Sequence, residues 1–379
     1  MITNGSSRFA YIDNLRLLMI IFVVMVHLAV TYSGIGSWYL VDSTELGAES
    51  LVFFGLFQSF TQAYFMGFLF LISGYFVTKS YDKKGPKKFL KDRFIRLGIP
   101  TLIYMLVIHP FIVYVLLGNM WDRPVFIKYY LVYFFSLEFL GESGPLWFAF
   151  ALLLFNCFYV LYRKINKIYS SSTKKELPDW KAAIMIILLI SIVTYIVRLV
   201  QPIDTAILNM QLCFFTQYIA LFILGIKAGK YDWFSKLSYP IGHKWFLTAL
   251  IPGILCWIVL MIGGGALDGG FDLYKGGFNW QSAAYAIWES FTAVAMSIGL
   301  ISLFKEKYNR QSNLIKSLSD RSFTVYMFHA PIIITISLIL MNVHMHPILK
   351  FLAACVIGFP LTFFICNYIR KIPVLNKIL

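Results

Sequence analysis

Hydrophobic residues in this chain come in long blocks separated by short polar stretches. Ten blocks approach or exceed the roughly 20 residues that a helix needs to cross a bilayer. They cover 15–34, 51–78, 97–117, 145–162, 182–200, 211–228, 245–263, 282–304, 322–341 and 347–369. The second is long enough to tilt or to extend beyond the lipid. The run 125–140 is short and carries Lys128 and Glu138, which predicts an interfacial or re-entrant helix. The expected fold class is all-α: a polytopic transmembrane helical bundle of about ten spans.

Composition agrees. Of 379 residues, 59% are hydrophobic, 18% aromatic and 13% charged, against roughly 25% charged in a soluble domain. Such a chain cannot hide its apolar surface in water, which excludes a soluble enzyme, a disordered chain and a disulfide scaffold. The chain reads as a single integral membrane domain over 1–379 with no fused soluble domain. Five cysteines, Cys157, Cys213, Cys256, Cys355 and Cys366, all lie inside apolar blocks without metal or redox spacing, so neither disulfides nor a metal is expected.

The net charge of +15 changes the picture once its distribution is read. With the amino terminus placed in the cytoplasm, 28 of the 33 lysines and arginines fall in cytoplasmic segments. Only Arg123, Lys128, Arg198, Lys275 and Lys350 fall on the other side. This is the positive-inside pattern of a multi-pass cell-membrane protein with both termini cytoplasmic. A full span at 125–140 would destroy it. The charge therefore reports orientation and attraction to anionic membrane lipids, and nucleic acid is not an expected partner. A homo-oligomer is compatible with the apolar faces. No small-residue cleavage site follows the first block, so no signal peptide is expected.

Ionisable residues at lipid depth are costly and are functional candidates by default. They are Arg16, His27, His109, Arg198, Glu289 and His329, with Asp13 at the edge of the first block. Eleven residues separate Arg16 from His27, three helical turns plus about 20°, so both lie on one face about 16 Å apart along the axis. Asp13 precedes Arg16 by three and can pair with it. Arg93 and Arg96 are also neighbours on a helix face, beside five lysines between 83 and 91. Arginine forks suit phosphate, although a plain positive-inside cluster would look the same. His109 and His329 stand close to Pro110 and Pro331, and both also read as core histidines bonded to freed carbonyls. Glu289 is expected to pair with Arg198 or a histidine. On the far side, acidic residues accompany Trp38, Trp121, Trp147 and Trp280, which suits sugar faces and an interfacial aromatic belt equally. No P-loop, dinucleotide fingerprint, nucleophile elbow or zinc-protease motif is present.

In order along the chain stand YIDNLRLLMIIFVVMVH with its Arg16–His27 spacing, FLFLISGYF (68–76), RFIRLGIP with Arg93 and Arg96, GPLWFAFALLL (144–154), FILGIKAGK (222–230) and SFTVYMFHAP (322–331). In these blocks the chain resembles the membrane-bound acyltransferase-3 family over nearly its whole length. Its opening, ISGYF and RLGIP blocks look similar to the osmoregulated periplasmic glucan biosynthesis protein C group. The resemblance implies an acyl-CoA-dependent O-acyltransferase. An acyl group, usually acetyl from acetyl-CoA as co-substrate, would pass to a hydroxyl of an extracytoplasmic or lipid-linked glycan. It further implies His27 as the catalytic histidine, a base or acyl relay, with Arg16 as its partner and Arg93 and Arg96 at the acyl-CoA, while Asp13 joins the expected catalytic set through its spacing to Arg16. Tyr326, Ser73, His329 and Glu289 are expected around this site as supporting groups. A secondary transporter or flippase of a glycan or lipid would also use intramembrane His, Arg and Glu. The paired, interrupted repeats of many such folds are not found. An inactive relative serving as a membrane partner is disfavoured by the intact Arg16, His27, Arg93 and Arg96.

Overall fold

The computed structural model describes residues 9–42, 45–118, 123–166, 175–376 and 378. Arg8, Trp121, Asp122, Lys377 and the middle of the 164–181 loop lie outside them. Among the described residues the fold is all-α, and nine segments are long and apolar enough to cross a membrane.

Helix α1 (Ala10–Ser33) runs antiparallel to α2 (Ala48–Arg93). Arg16 at one end lies over the Phe76 ring, and Ser33 at the other accepts a 2.7 Å hydrogen bond from Gln58. One helical run extends over 69 residues, Ala48–Leu116, and contains two of the expected spans. At 1.5 Å per residue it would be about 100 Å long, several times a bilayer's hydrocarbon thickness. It doubles back at Gly85, whose φ of 70° is open to glycine at little cost. Across that turn Lys84 meets Asp92 at 2.6 Å, and the Tyr81 and Phe89 rings lie 5.7 Å apart. The return segment 94–116 contains Pro100 and Pro110 and has wide π-type turns at Phe94–Gly98, Tyr104–Ile108 and Phe111–Leu116. Proline removes backbone donors, and the hydrogen bonds slip by one residue around it. The segment ends beside Tyr39, at the end of the bundle where α1 stops. The nine segments thus make ten passes.

The short run becomes α3 (Arg123–Phe135), too short to span. It is held on the return segment by Tyr130 and Tyr133, whose hydroxyls donate to the carbonyls of Leu106 and Met105. Its Ile127, Val132 and Phe135 are exposed, as an interfacial helix requires. The remaining spans are α4 (Trp147–Ile165), α5 (Trp180–Arg198), α6 (Phe215–Tyr231), α7 (Tyr239–Gly263), α8 (Trp280–Lys307), α9 (Asn313–Met341) and α10 (Pro347–Ile369). Arg370 donates to the Asp320 carbonyl and Ser319 to that of Asp13, so α1 begins and α10 ends at one end of the bundle. The same end holds the lysines and arginines of the Gly85 turn, and Asp42, Glu49, Glu142 and Asp272 belong to the opposite end.

Helices α2 and α6 bring their backbones close together at three glycines. In lipid no hydrophobic force drives helices together, so small residues that let backbones touch decide the packing. Gly74 faces the Phe222 carbonyl, Gly225 that of Leu71, and Gly229 that of Tyr75. A Cβ at any of the three would collide with the opposite backbone, which cannot swing away as a side chain can. Gly225→Ala is therefore expected to destabilise the bundle by about 1–3 kcal/mol. Thermal unfolding in detergent reads this out, with Gly263→Ala, which has open space at its Cβ, as the control.

Candidate active site

Helix α1 places His27 near the end opposite the basic turn. A left-handed Gly34 (φ 64°) closes the helix and sends the chain sideways. The loop then folds back, because the Asp42 amide donates to Thr31 O at 2.7 Å and the Asp42 carboxylate holds Lys350 of α10 at 2.7 Å. Both side chains of that ion pair are buried. This return lays Trp38 on the half-buried His27 ring, with centroids 3.8 Å apart and planes 16° from parallel. His329 of α9 lies beside them, 5.3 Å from His27, with its plane within 19°. Tyr326, one turn earlier on α9, stacks on His329 at 6.4 Å. The Tyr326 hydroxyl gives its proton to the Pro145 carbonyl, tying α9 to the turn before α4.

A polar chain continues outward from Trp38. Tyr104 donates to the Tyr39 hydroxyl at 3.2 Å, Tyr39 meets His109 Nδ1 at 2.9 Å, and the same nitrogen lies 3.5 Å from Glu142. Burial raises the Tyr39 phenol above its usual range. Partial burial, with the Glu138 charge nearby, likewise holds the Glu142 carboxyl above the ordinary carboxylate range. Both groups therefore favour their protonated, hydrogen-bond-donating forms more than free side chains do.

At the other end of α1, Arg16 lies 3.4 Å from Asp13 and stacks 4.9 Å over Phe76. Phe76 also lines a cavity of about 550 Å³ between the end of α2 and the Gly85 turn. Lys79, Lys83, Lys84, Arg93 and Arg96 surround it with a single carboxylate, Asp92, which Lys84 already neutralises. Arg93 stacks on Phe89 at 5.0 Å and feels the charges of Arg96 and Arg16. Like charges gathered around a hollow are held apart from water-screened positions only at a cost, and a polyanion would relieve it.

The structure thus brings His27, His329 and Tyr326 together at one end, and Arg16, Asp13, Arg93 and Arg96 at the other. Ser73 lies one turn from Phe76, at the level of Arg16's end and away from His27. Glu289 joins neither group. It forms a 2.7 Å ion pair with Arg198, and both side chains are almost wholly buried between Phe214 and Tyr285. Trp38, Tyr39, Tyr104 and Glu142 belong to the His27 end although their positions in the sequence do not mark them. Trp38 and Glu142 carried a general signal, as members of the aromatic and acidic set on the far side; Tyr39 and Tyr104 carried none. No group of three or more His, Cys, Asp or Glu side chains among the described residues is placed to hold a metal ion.

Fold and site define a multi-pass membrane protein with a histidine–aromatic cluster at one end and a cationic cavity at the other. A family model described as an acyltransferase domain matches residues 9–367, and the chain belongs to the acyltransferase-3 family. No curated protein and no solved structure matches it.

The buried Arg198–Glu289 pair makes its own prediction. Glu289→Ala leaves an unpaired buried guanidinium and should cost about 3–5 kcal/mol. Replacing both residues with apolar ones, Glu289→Leu with Arg198→Met, should recover most of that loss. Unfolding of the wild type and the two variants in detergent measures it, and a double variant no better than the single would show that the pair is not the unit.

Proposed function

We propose that this protein moves an acyl group, acetyl first, from acyl-CoA at the basic end to a glycan hydroxyl at the His27 end. The basic end is cytoplasmic on the positive-inside rule. The acceptor is an extracytoplasmic or lipid-linked glycan. One observation carries the reading: a single helix, α1, has the phosphate-suited cavity at one end and His27, framed by Trp38 and His329, at the other.

The mechanism follows from these positions. Arg93 and Arg96 bind the CoA phosphates with charge-assisted hydrogen bonds. Arg16, beside the same cavity, steers the donor toward α1. The pantetheine arm carries the thioester inward along the 16 Å or so between Arg16 and His27. His27 then acts on the thioester and the acceptor, either as general base or as transient acyl carrier. The aromatic walls exclude water, which limits loss of the acyl group to hydrolysis.

Two measurements test the reading. His27→Ala should lower acyl transfer by about 100-fold or more, while expression and membrane insertion persist; full activity would remove the catalytic role. Arg93→Ala and Arg96→Ala should each weaken CoA binding by about tenfold, the effect of losing roughly 1.4 kcal/mol. Unchanged binding in the double variant would place the donor elsewhere.

A further inference from the structure

His329 is fully buried, and only one of its ring nitrogens is used. Nδ1 lies 2.9 Å from the Tyr326 carbonyl oxygen and 3.2 Å from that of Val325. Carbonyl oxygens only accept, so Nδ1 carries the hydrogen and Nε2 presents a lone pair. That Nε2 is buried and has no hydrogen-bond partner among the described residues. The neighbouring His27 ring does not satisfy it. The second such atom at this site is Trp38 Nε1, a buried donor without an acceptor, on the ring stacked against His27. Other buried atoms, such as Trp257 Nε1 and Thr362 Oγ1, also lack a partner, but these two lie against the ring of His27, where an unpaired group calls for an explanation. Here an acceptor and a donor flank the histidine that meets the acyl group.

Direct transfer by His27 as base has no task for a second histidine with a fixed tautomer and an open lone pair. A relay has one. Resting on the acyl-transfer reading, we infer that His27 carries the acyl group and that His329 Nε2 is the general base that activates the acceptor hydroxyl. In the first step a His27 ring nitrogen attacks the thioester carbon. The C–S bond breaks, the thiolate leaves with the electron pair, and it takes a proton from water at the basic end. In the second step the acceptor oxygen attacks the acyl carbon of the acyl-imidazolium while His329 Nε2 takes the hydroxyl proton. The C–N bond breaks, its electrons return to His27, and His329 releases the proton to water. Trp38 Nε1–H donates to the carbonyl oxygen as it gains negative charge in both steps. The near-parallel rings, 5.3 Å apart, put His329 within reach of a hydroxyl approaching a group on His27.

The half-reactions separate this from a structural role. Purified full-length protein is mixed with radiolabelled acetyl-CoA and quenched in time, with water or hydroxylamine as the nucleophile. Hydroxylamine attacks an acyl-imidazole without a base, and water needs one. Wild type and His329→Gln should both release about one CoA per chain in a burst and carry label on His27. Hydroxylamine should discharge both equally, and discharge to water should slow by about 100-fold in His329→Gln. His329→Ala should behave the same, which covers a glutamine that makes bonds of its own. Loss of the burst in both variants, or discharge to water at the wild-type rate, overturns the inference. An unlabelled wild type whose glycan acetylation in cells is nonetheless abolished by His27→Ala overturns it too, and leaves the acyl-transfer reading standing. A wild type that consumes no acetyl-CoA, with cellular acetylation indifferent to His27→Ala, removes both.

Discussion

Helix α1 fixes the distance between the cationic cavity and the histidine cluster. Arg16 and His27 share one of its faces, and a helix cannot stretch. It also cannot slide, because α2, α8, α9 and α10 all pack against it and buried side chains occur along its whole length. At the basic end, Asn14 donates to the carbonyls of Tyr308 and Arg310. At the far end, Tyr32 reaches Ser337 and the Asp42–Lys350 pair pins the following loop to α10. On the proposed acyl-transfer reading, a donor arm held at one end would therefore span a set interval to react at the other. The cavity and the histidine cluster are two stations on one ruler.

Around that ruler the protein solves two problems that lipid imposes. Helices must find each other without help from water, and the α2–α6 contact does so with glycines that bring backbone onto backbone. Polar groups at depth must find partners inside the bundle. Most do: Thr101 and Ser191 bond back to their own helices, and Trp288 Nε1 donates to Gly253. Others do not, among them Thr78, Asn156, His243, Trp257 and Thr362, and two sets lie at charged or histidine-bearing positions. Arg198 and Glu289 leave nitrogens and an oxygen unpaired, but within a pair that already neutralises its charges. Trp38 and His329 leave theirs unpaired beside the one histidine that α1 delivers.

Much of the fold was legible because hydropathy reports what lipid demands of each residue, one span at a time. The short charged run 125–140 was separated from the spans on the same ground, and α3 agrees. The reversal between the second and third spans was legible from the basic stretch 79–96 that separates them, whereas its exact place at Gly85, where φ and ψ leave the helical region, was not. At the site, Arg16, His27, Arg93 and Arg96 could be singled out because helical periodicity relates residues within one element. Trp38, Tyr104 and the Asp42–Lys350 pair could not, since their partners lie 11 to 308 residues away and no local pattern encodes that distance. Ser73 shows the reverse limit: it stands in a suggestive block, yet one turn from the Phe76 ring that Arg16 covers rather than in the His27 cluster.

The loop between α1 and α2 is the element where these lines meet. It is short, so the position of Trp38 is bounded by Gly34 at one side and by the buried Asp42–Lys350 pair at the other. Breaking that pair would cost far more than a surface ion pair, because it strands a charge in the interior. The loop is therefore held down on His27 as firmly as a packed helix, although it has no regular structure. On the proposed reading, an acceptor arriving from that side meets Trp38 first: it must pass beside the indole, along the wall that His329 and Tyr326 form on α9, or displace the indole from His27.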